Sequence, residues 1–69
     1  MKKYLFELHF QNKDLTYNAD YHFEFFENFD DVRKRAKNIL KEGRRDLNAY
    51  LLSVYCKAHG DFKLVMSLE

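Results

Sequence analysis

Seven cations concentrate in one short stretch of the chain, and that stretch is where the side chains could do chemistry. Residues 33–45 carry seven basic side chains against Glu42 alone, whereas the whole chain has a net charge of +1. Clustered cations neutralise phosphates and release counterions, so they can bind nucleic acid without reading its sequence. Lysine and arginine are also common on the solvent face of ordinary helices. The candidate nucleic-acid contacts are Arg33, Lys34, Lys37, Lys41, Arg44 and Arg45.

The imidazole, carboxylate and thiol groups do not form a catalytic pattern. His9 and His22 fall on adjacent predicted strands, where one register would place them together beside Glu7 and Glu24. Such a set could hold a divalent metal, but histidines on a sheet surface are usually ordinary polar residues. The only thiol, Cys56, is predicted to point into the core as a small apolar side chain. We therefore predict a non-enzymatic protein with no metal and no cofactor.

The basic stretch lies in the only helix that the sequence predicts and in the residues that follow it, Arg44 and Arg45. Asn28 is a residue type that caps helices, and Gly43 is expected to end the helix in a left-handed conformation. Between them, apolar side chains recur at the spacing of one helix face. The members of this stripe are Phe29, Val32, Ala36, Ile39 and Leu40. The basic side chains lie outside the stripe and are expected to face solvent.

Four strands are predicted, at residues 4–10 and 21–26 before the helix and at 49–57 and 61–68 after it. Alternation of apolar and polar residues predicts which side chains face the helix. These are Tyr4, Phe6, Leu8 and Phe10; Tyr21, Phe23 and Phe25; Tyr50, Leu52, Val54 and Cys56; and Phe62, Leu64, Met66 and Leu68. A three-residue loop, 58–60, is predicted to join the last two strands, with Gly60 in the left-handed conformation.

The order of these elements, ββαββ, predicts an α+β fold: a four-stranded mixed sheet with one helix packed on one face. A right-handed crossover through the helix would make the second and third strands parallel, and the sheet orders 2-1-4-3 and 1-2-3-4 both satisfy this. The first is favoured because the first and fourth strands have the cleanest apolar faces. Order 2-1-4-3 resembles the β-grasp architecture, as in the immunoglobulin-binding domains of protein G and in ubiquitin. That resemblance implies a fold and no function.

The sheet face turned away from the helix is predicted to be uncovered and to contact a protein partner. Apolar clusters with a polar rim are typical of contact surfaces, although cross-strand pairs also pack on half-exposed faces. The candidate contacts are Leu5, Phe26, Leu51, Tyr55 and Val65. In the favoured order the second and third strands are edges, which could pair with another strand or form a homodimer. Protein binding is thus the leading expectation, and electrostatic nucleic-acid binding is the alternative.

Length and composition predict a single small domain over residues 1–69. One cysteine rules out an intramolecular disulfide and fits a reducing compartment. Glu7 and His9 interrupt the first apolar run, so no signal peptide is expected, and no stretch is long enough to cross a membrane. We expect a cytoplasmic protein with no membrane contact and no small-molecule substrate.

Overall fold

Two β-hairpins joined by one helix make up the fold, in a computed structural model that describes residues 1–69. Strands β1 (Lys2–Gln11) and β2 (Tyr17–Phe26) form the first hairpin, and β3 (Ala49–Ala58) and β4 (Asp61–Leu68) form the second. Helix α1 (Phe29–Leu47) connects the hairpins. The predicted α+β class, the ββαββ order, the four-stranded sheet and the single helix are confirmed.

The order of the strands in the sheet is β2-β1-β3-β4, and all neighbouring pairs are antiparallel. The predicted order 2-1-4-3, its alternative 1-2-3-4 and the mixed sheet are therefore wrong. Strand β1 lies between β2 and β3, so the helical connection passes over one intervening strand. This order places the uncharged segment 49–56 at the centre, where both of its edges are paired. The edges are β2 and β4, and the β-grasp resemblance, which depended on the other order, is not confirmed.

The core lies between the helix and the two central strands. Its largest fully buried side chains are Phe6 on β1, Leu52 and Val54 on β3, and Val32 on the helix. The complete buried apolar set is Tyr4, Phe6, Leu8, Val32, Ala36, Ile39, Leu40, Ala49, Leu52 and Val54. The burial of Val32, Ala36, Ile39 and Leu40 confirms these members of the predicted helix stripe. The predicted inward orientation of Tyr4, Phe6 and Leu8 on β1 is also confirmed.

Helix α1 starts as predicted and ends later than predicted. The Asn28 side chain accepts a hydrogen bond from the backbone N–H of Asp30 at 2.8 Å, so the expected cap is confirmed. The helix then runs past Gly43 to Leu47. Asn48 adopts the left-handed conformation, with φ of 56°, and its N–H donates to the carbonyl of Gly43. The prediction that Gly43 ends the helix is wrong, because Asn48 performs that role.

Gly43 instead allows the helix to approach the sheet closely. A Cβ atom at this position would lie 2.7 Å from Leu8 Cδ2 and 3.1 Å from the Cβ of Ala49. Both neighbours are buried, on β1 and β3 respectively. The absence of a side chain at Gly43 therefore sets the spacing between the last turns of α1 and the central strands.

Strand β2 turns toward the helix the face that was predicted to point away from it. Its register places His22 opposite Phe6 and Glu24 opposite Tyr4, and residues opposite each other share a face. Phe26 follows the same alternation and packs against the core. The helix side of β2 thus carries His22, Glu24 and Phe26. Its open side carries Tyr21, Phe23 and Phe25, which were predicted to face the helix; that prediction is wrong.

The second hairpin also differs from its predicted register. His59 and Gly60, with φ of 52° and 88°, form a two-residue turn between β3 and β4, so the three-residue loop is wrong. The left-handed Gly60 is confirmed, because two-residue hairpin turns of this kind need positive φ at both positions. The turn places Phe62 opposite Lys57 on the open face.

Register shifts in β3 and β4 decide which of their side chains are buried. A shift after Val54 keeps Met66 opposite Val54 on the helix side and moves Leu64 to the open face. The predicted inward orientation is therefore confirmed for Met66 and Leu68, and wrong for Phe62 and Leu64. A second shift, where β3 begins, buries Ala49 and leaves Tyr50 exposed, contrary to the prediction for Tyr50.

We expect Gly43→Ala to lower the free energy of unfolding by about 1–2 kcal/mol, although alanine favours a helix by ~1 kcal/mol. The new Cβ must displace the buried Leu8 side chain, and Ala49 leaves little space for it. Urea denaturation measures the change. Asn38→Ala, at an exposed position of the same helix, is the control and should be neutral or slightly stabilising. A stabilised Gly43→Ala variant would contradict the close approach.

Candidate functional site

An aromatic surface covers one end of the open sheet face. Tyr21, Phe23 and Phe25 occupy alternate positions of the edge strand β2 and are 59%, 51% and 60% exposed. On the same face lie Tyr55 of β3 and Phe62 of β4. We call these five residues the aromatic patch. Large aromatic side chains with this exposure, gathered on one face, are typical of a contact surface.

Contacts within the open face hold the patch together across the sheet. The rings of Phe23 and Phe62, from opposite edge strands, have centroids 5.7 Å apart. Leu5 of the central strand β1 lies on the same face, where it is paired with Phe23 on one side and with Tyr55 on the other. The Lys3 ammonium lies 4.5 Å from the Phe23 centroid, a favourable position for a cation above an aromatic ring. The patch is therefore an arranged cluster and not a set of isolated exposed rings.

A carboxylate network forms the polar border of the patch. Glu7 Oε1 accepts a hydrogen bond from the Tyr55 hydroxyl at 3.3 Å, and His9 Nε2 lies 2.6 Å from the same oxygen. Burial, the Glu7 charge and this hydrogen bond all raise the pKa of Tyr55. Ser53 is buried beside Glu7 in the central strands. These contacts fix the Tyr55 ring at the side of the aromatic surface.

An ion pair with the helix holds β2 in the orientation that exposes the aromatic rings. Arg35 Nε donates hydrogen bonds to both Glu24 carboxylate oxygens, at 2.9 and 3.2 Å. On the other side of Glu24, His22 Nε2 lies 2.6 Å from Oε2, and the His22 ring stacks on Phe6 at 5.2 Å. Burial raises the pKa of Glu24, but hydrogen bonds and charges from Arg35 and His22 outweigh it, so the pKa is lowered overall.

Most of the predicted protein-contact residues lie on the open face. Leu5, Leu51 and Tyr55 are there, partly buried, and Val65 is 40% exposed beside the register shift in β4. Phe26 is on the helix side, where its ring lies 6.0 Å from that of Tyr4, so its prediction as an open-face residue is wrong. Both faces of β2 carry aromatic residues, and alternation alone could not show which face is buried.

Residues that the sequence interpretation missed make up most of the patch. Tyr21, Phe23, Phe25 and Phe62 were assigned to the core, and Lys3 was given no role. The signal that could have found them is Glu24, whose partly buried charge is paired with Arg35 of the helix.

The basic helix residues divide into paired and unpaired groups. Three of them make ion pairs: Arg33 with Asp30 at 3.6 Å, Arg35 with Glu24 at 2.9 Å, and Arg45 with Asp46 at 2.9 Å. No ion pair forms at Lys34, Lys37, Lys41 or Arg44. Spacings of three, four and three residues place these four cations in one stripe along the helix, about 15 Å long.

The histidines do not combine into a metal site. His9 lies on the open face, opposite Ala19, and His22 lies on the helix side, opposite Phe6. The hypothesis that they share one patch is therefore wrong. No group of three or more histidine, cysteine, aspartate or glutamate side chains comes together in a metal-binding arrangement.

Comparisons with known proteins give no indication of function, so the fold and the surface carry the functional argument. No protein-family model, no curated protein and no solved structure matches the chain. The single helix of the structure lacks the apolar length needed to cross a membrane.

We expect Glu24→Gln to lower the free energy of unfolding at neutral pH by about 1 kcal/mol, because it removes a charged partner of Arg35. The Glu24 pKa is lowered in the folded protein, so its contribution is complete above the ordinary value of 4.5 and is lost as the pH falls through the folded-state pKa. Urea denaturation should thus show that the free energy of unfolding falls less between neutral and acidic pH in the variant than in the wild type. Glu27→Gln, at an exposed position, is the control; equal pH profiles for wild type and Glu24→Gln would refute the role of this ion pair.

Proposed function

We propose that this chain is a non-enzymatic interaction module that binds a protein partner, which can be a second copy of itself, through the aromatic patch and the adjoining edge of β2. The observation that carries the proposal is the exposure of Tyr21, Phe23 and Phe25 on one face of an edge strand. Burying such rings in a complex would remove a large apolar area from water. The single free cysteine, Cys56, is compatible with action in a reducing cytoplasm.

The composition of the face favours a protein over a single-stranded nucleic acid. Aromatic rings with nearby lysines can stack bases, and Lys3 and Lys57 do lie over the rings of Phe23 and Phe62. However, those ring faces are already occupied by the ammonium groups, and the Glu7 carboxylate borders the patch. A phosphate backbone crossing this face would meet the negative charge of Glu7 at the border of the patch, whereas a protein surface could donate hydrogen bonds to it.

Site-specific photo-crosslinking tests the proposal before the partner has been identified. A benzoylphenylalanine at Phe25 should give a light-dependent adduct in cells that express the chain, because that ring is exposed within the patch. The same probe at Lys37, on the helix, is the matched control. The captured protein is then purified and titrated against wild type and Phe23→Ser.

The expected result is an adduct from Phe25 only, followed by binding that Phe23→Ser weakens at least tenfold while circular dichroism shows an intact fold. Adducts of equal yield from Phe25 and Lys37, or binding that does not depend on Phe23, would overturn the proposal.

Electrostatic nucleic-acid binding is a second candidate function, supported by the unpaired stripe of Lys34, Lys37, Lys41 and Arg44. Cations that are not committed to ion pairs are free to neutralise phosphates. The stripe lies on the helix, across the molecule from the aromatic patch, so the two candidate surfaces are separate. Such binding would not depend on sequence, since contacts to phosphates carry no sequence information.

If the stripe binds DNA, the logarithm of the affinity for a short duplex should fall with the logarithm of salt concentration with a slope of about −3 to −4, as expected for four phosphate contacts. Fluorescence anisotropy measures it. The double variant Lys37→Glu, Lys41→Glu should abolish binding, whereas Lys13→Glu, Lys63→Glu, with the same change in net charge, should weaken it only slightly. Equal losses from both variants would indicate attraction by net charge and refute a role for the stripe.

A further inference from the structure

Strand β2 is the edge of the sheet with fewer of the features that prevent pairing with another strand, although Asp20 and Glu24 place two charges on its helix side. It has ten residues, pairs with β1 without a register shift, and contains neither proline nor lysine. The opposite edge, β4, has eight residues, a register shift in its pairing with β3, and Lys63 within it. Short length, irregular pairing and lysine are the means by which edge strands avoid such contacts. The outer backbone groups of β2 are therefore the ones available to another strand.

We propose that β2 pairs with β2 of a second copy of this chain, antiparallel and across a two-fold axis. This inference rests on the proposed function and names its partner. The helix packs mainly on β1 and β3, so it leaves the outer edge of β2 clear. The two four-stranded sheets would join into one continuous sheet, with both helices on the same side.

Symmetry and strand length restrict the register. A two-fold axis normal to the sheet places residues of the same face opposite each other. The two residue numbers in each pair then differ by an even number, so one residue lies at the axis, opposite its own copy. Axes at Tyr21 or His22 pair nine of the ten β2 residues, whereas axes at Asp20 or Phe23 pair only seven. The longest symmetric pairings are therefore those centred on Tyr21 and on His22.

Charge complementarity selects between these two registers. An axis at His22 would place Asp20 opposite Glu24 of the second copy, and symmetry would repeat that like-charge contact. Like charges directly opposite each other destabilise a strand pair. An axis at Tyr21 places Asp20 opposite His22 of the second copy, where a carboxylate can accept a hydrogen bond from an imidazole. The structure thus favours the register centred on Tyr21.

The same register extends the aromatic surface across the junction. On the open face it pairs Tyr17 with Phe25, Ala19 with Phe23, and Tyr21 with its own copy. Aromatic pairs that face each other across strands stabilise the pairing. Tyr17 and Phe25, which are 72% and 60% exposed in the single chain, would each gain a neighbouring ring.

Disulfide trapping tests both the dimer and its register. In a Cys56→Ser background, cysteine is introduced singly as Asp20→Cys, Tyr21→Cys or His22→Cys, and each protein is oxidised in a glutathione buffer. Facing residues in an antiparallel pair have Cα atoms about 4.5–5.5 Å apart, within the range that a disulfide spans. Diagonal neighbours lie about 7–8 Å apart, beyond it. We therefore expect Tyr21→Cys to form covalent dimers much faster than the other two variants.

Faster trapping by Asp20→Cys or His22→Cys would overturn the register. No trapping by any variant, together with a monomer in sedimentation of the wild type at all concentrations, would overturn the dimer. In that case a photo-adduct from Phe25 with a different protein would still support the proposed function, so the two failures are distinguishable.

A charge reversal provides a second test that needs no introduced cysteine. Asp20→Lys should raise the dimer dissociation constant about tenfold, because two symmetric contacts with His22 are lost. Asp61→Lys, at the turn of the other hairpin, makes the same change in charge away from β2 and should leave the constant unchanged. An unchanged constant in Asp20→Lys, or an equal change in both variants, would overturn the proposed register.

Discussion

The orientation of strand β2 is the constraint on which the candidate surface depends. Glu24 needs a cation, and Arg35 on the helix supplies one through two hydrogen bonds. Because side chains alternate along a strand, holding Glu24 on the helix side places Phe23 and Phe25 on the open side. The pairing of one partly buried carboxylate with an arginine, together with the packing of Phe26 on the core, thus accounts for where the aromatic rings of this small protein are exposed.

The central strands and the helix provide the rigid base for that edge. Strands β1 and β3 pair with neighbours on both sides, and their inward side chains pack against the apolar stripe of α1. Gly43 brings the helix close to them, and the helix then continues to Leu47. Strand β2, in contrast, is paired on one side only. It is held in place by polar contacts with the helix and by the packing of Phe26 against the core. A well-packed centre with a less protected edge is an arrangement suited to recognition by strand pairing.

The sequence predicted the features that depend on local spacing. The helix stripe, the Asn28 cap, the ββαββ order and the inward face of β1 follow from periodicity and capping chemistry. The features that were wrong depend on distant contacts. Sheet order depended on the pairing of β1 with β3, and the face of β2 depended on its contact with Arg35. The end of α1 depended on Asn48 and on the close approach at Gly43, and the inward face of β4 depended on a register shift after Val54. Aromatic residues on both faces of β2 made its periodicity uninformative.

Nuclear Overhauser contacts of the β2 aromatic rings test the orientation of this strand most directly. A spectrum of the protein labelled on phenylalanine and tyrosine should show contacts between Phe23 and Phe62, and between Phe6 and the His22 ring. It should show none from Phe23 to the buried helix residues Val32 and Ala36. Contacts from Phe23 to those helix residues would mean that β2 buries its aromatic face, and would contradict the account of the open surface.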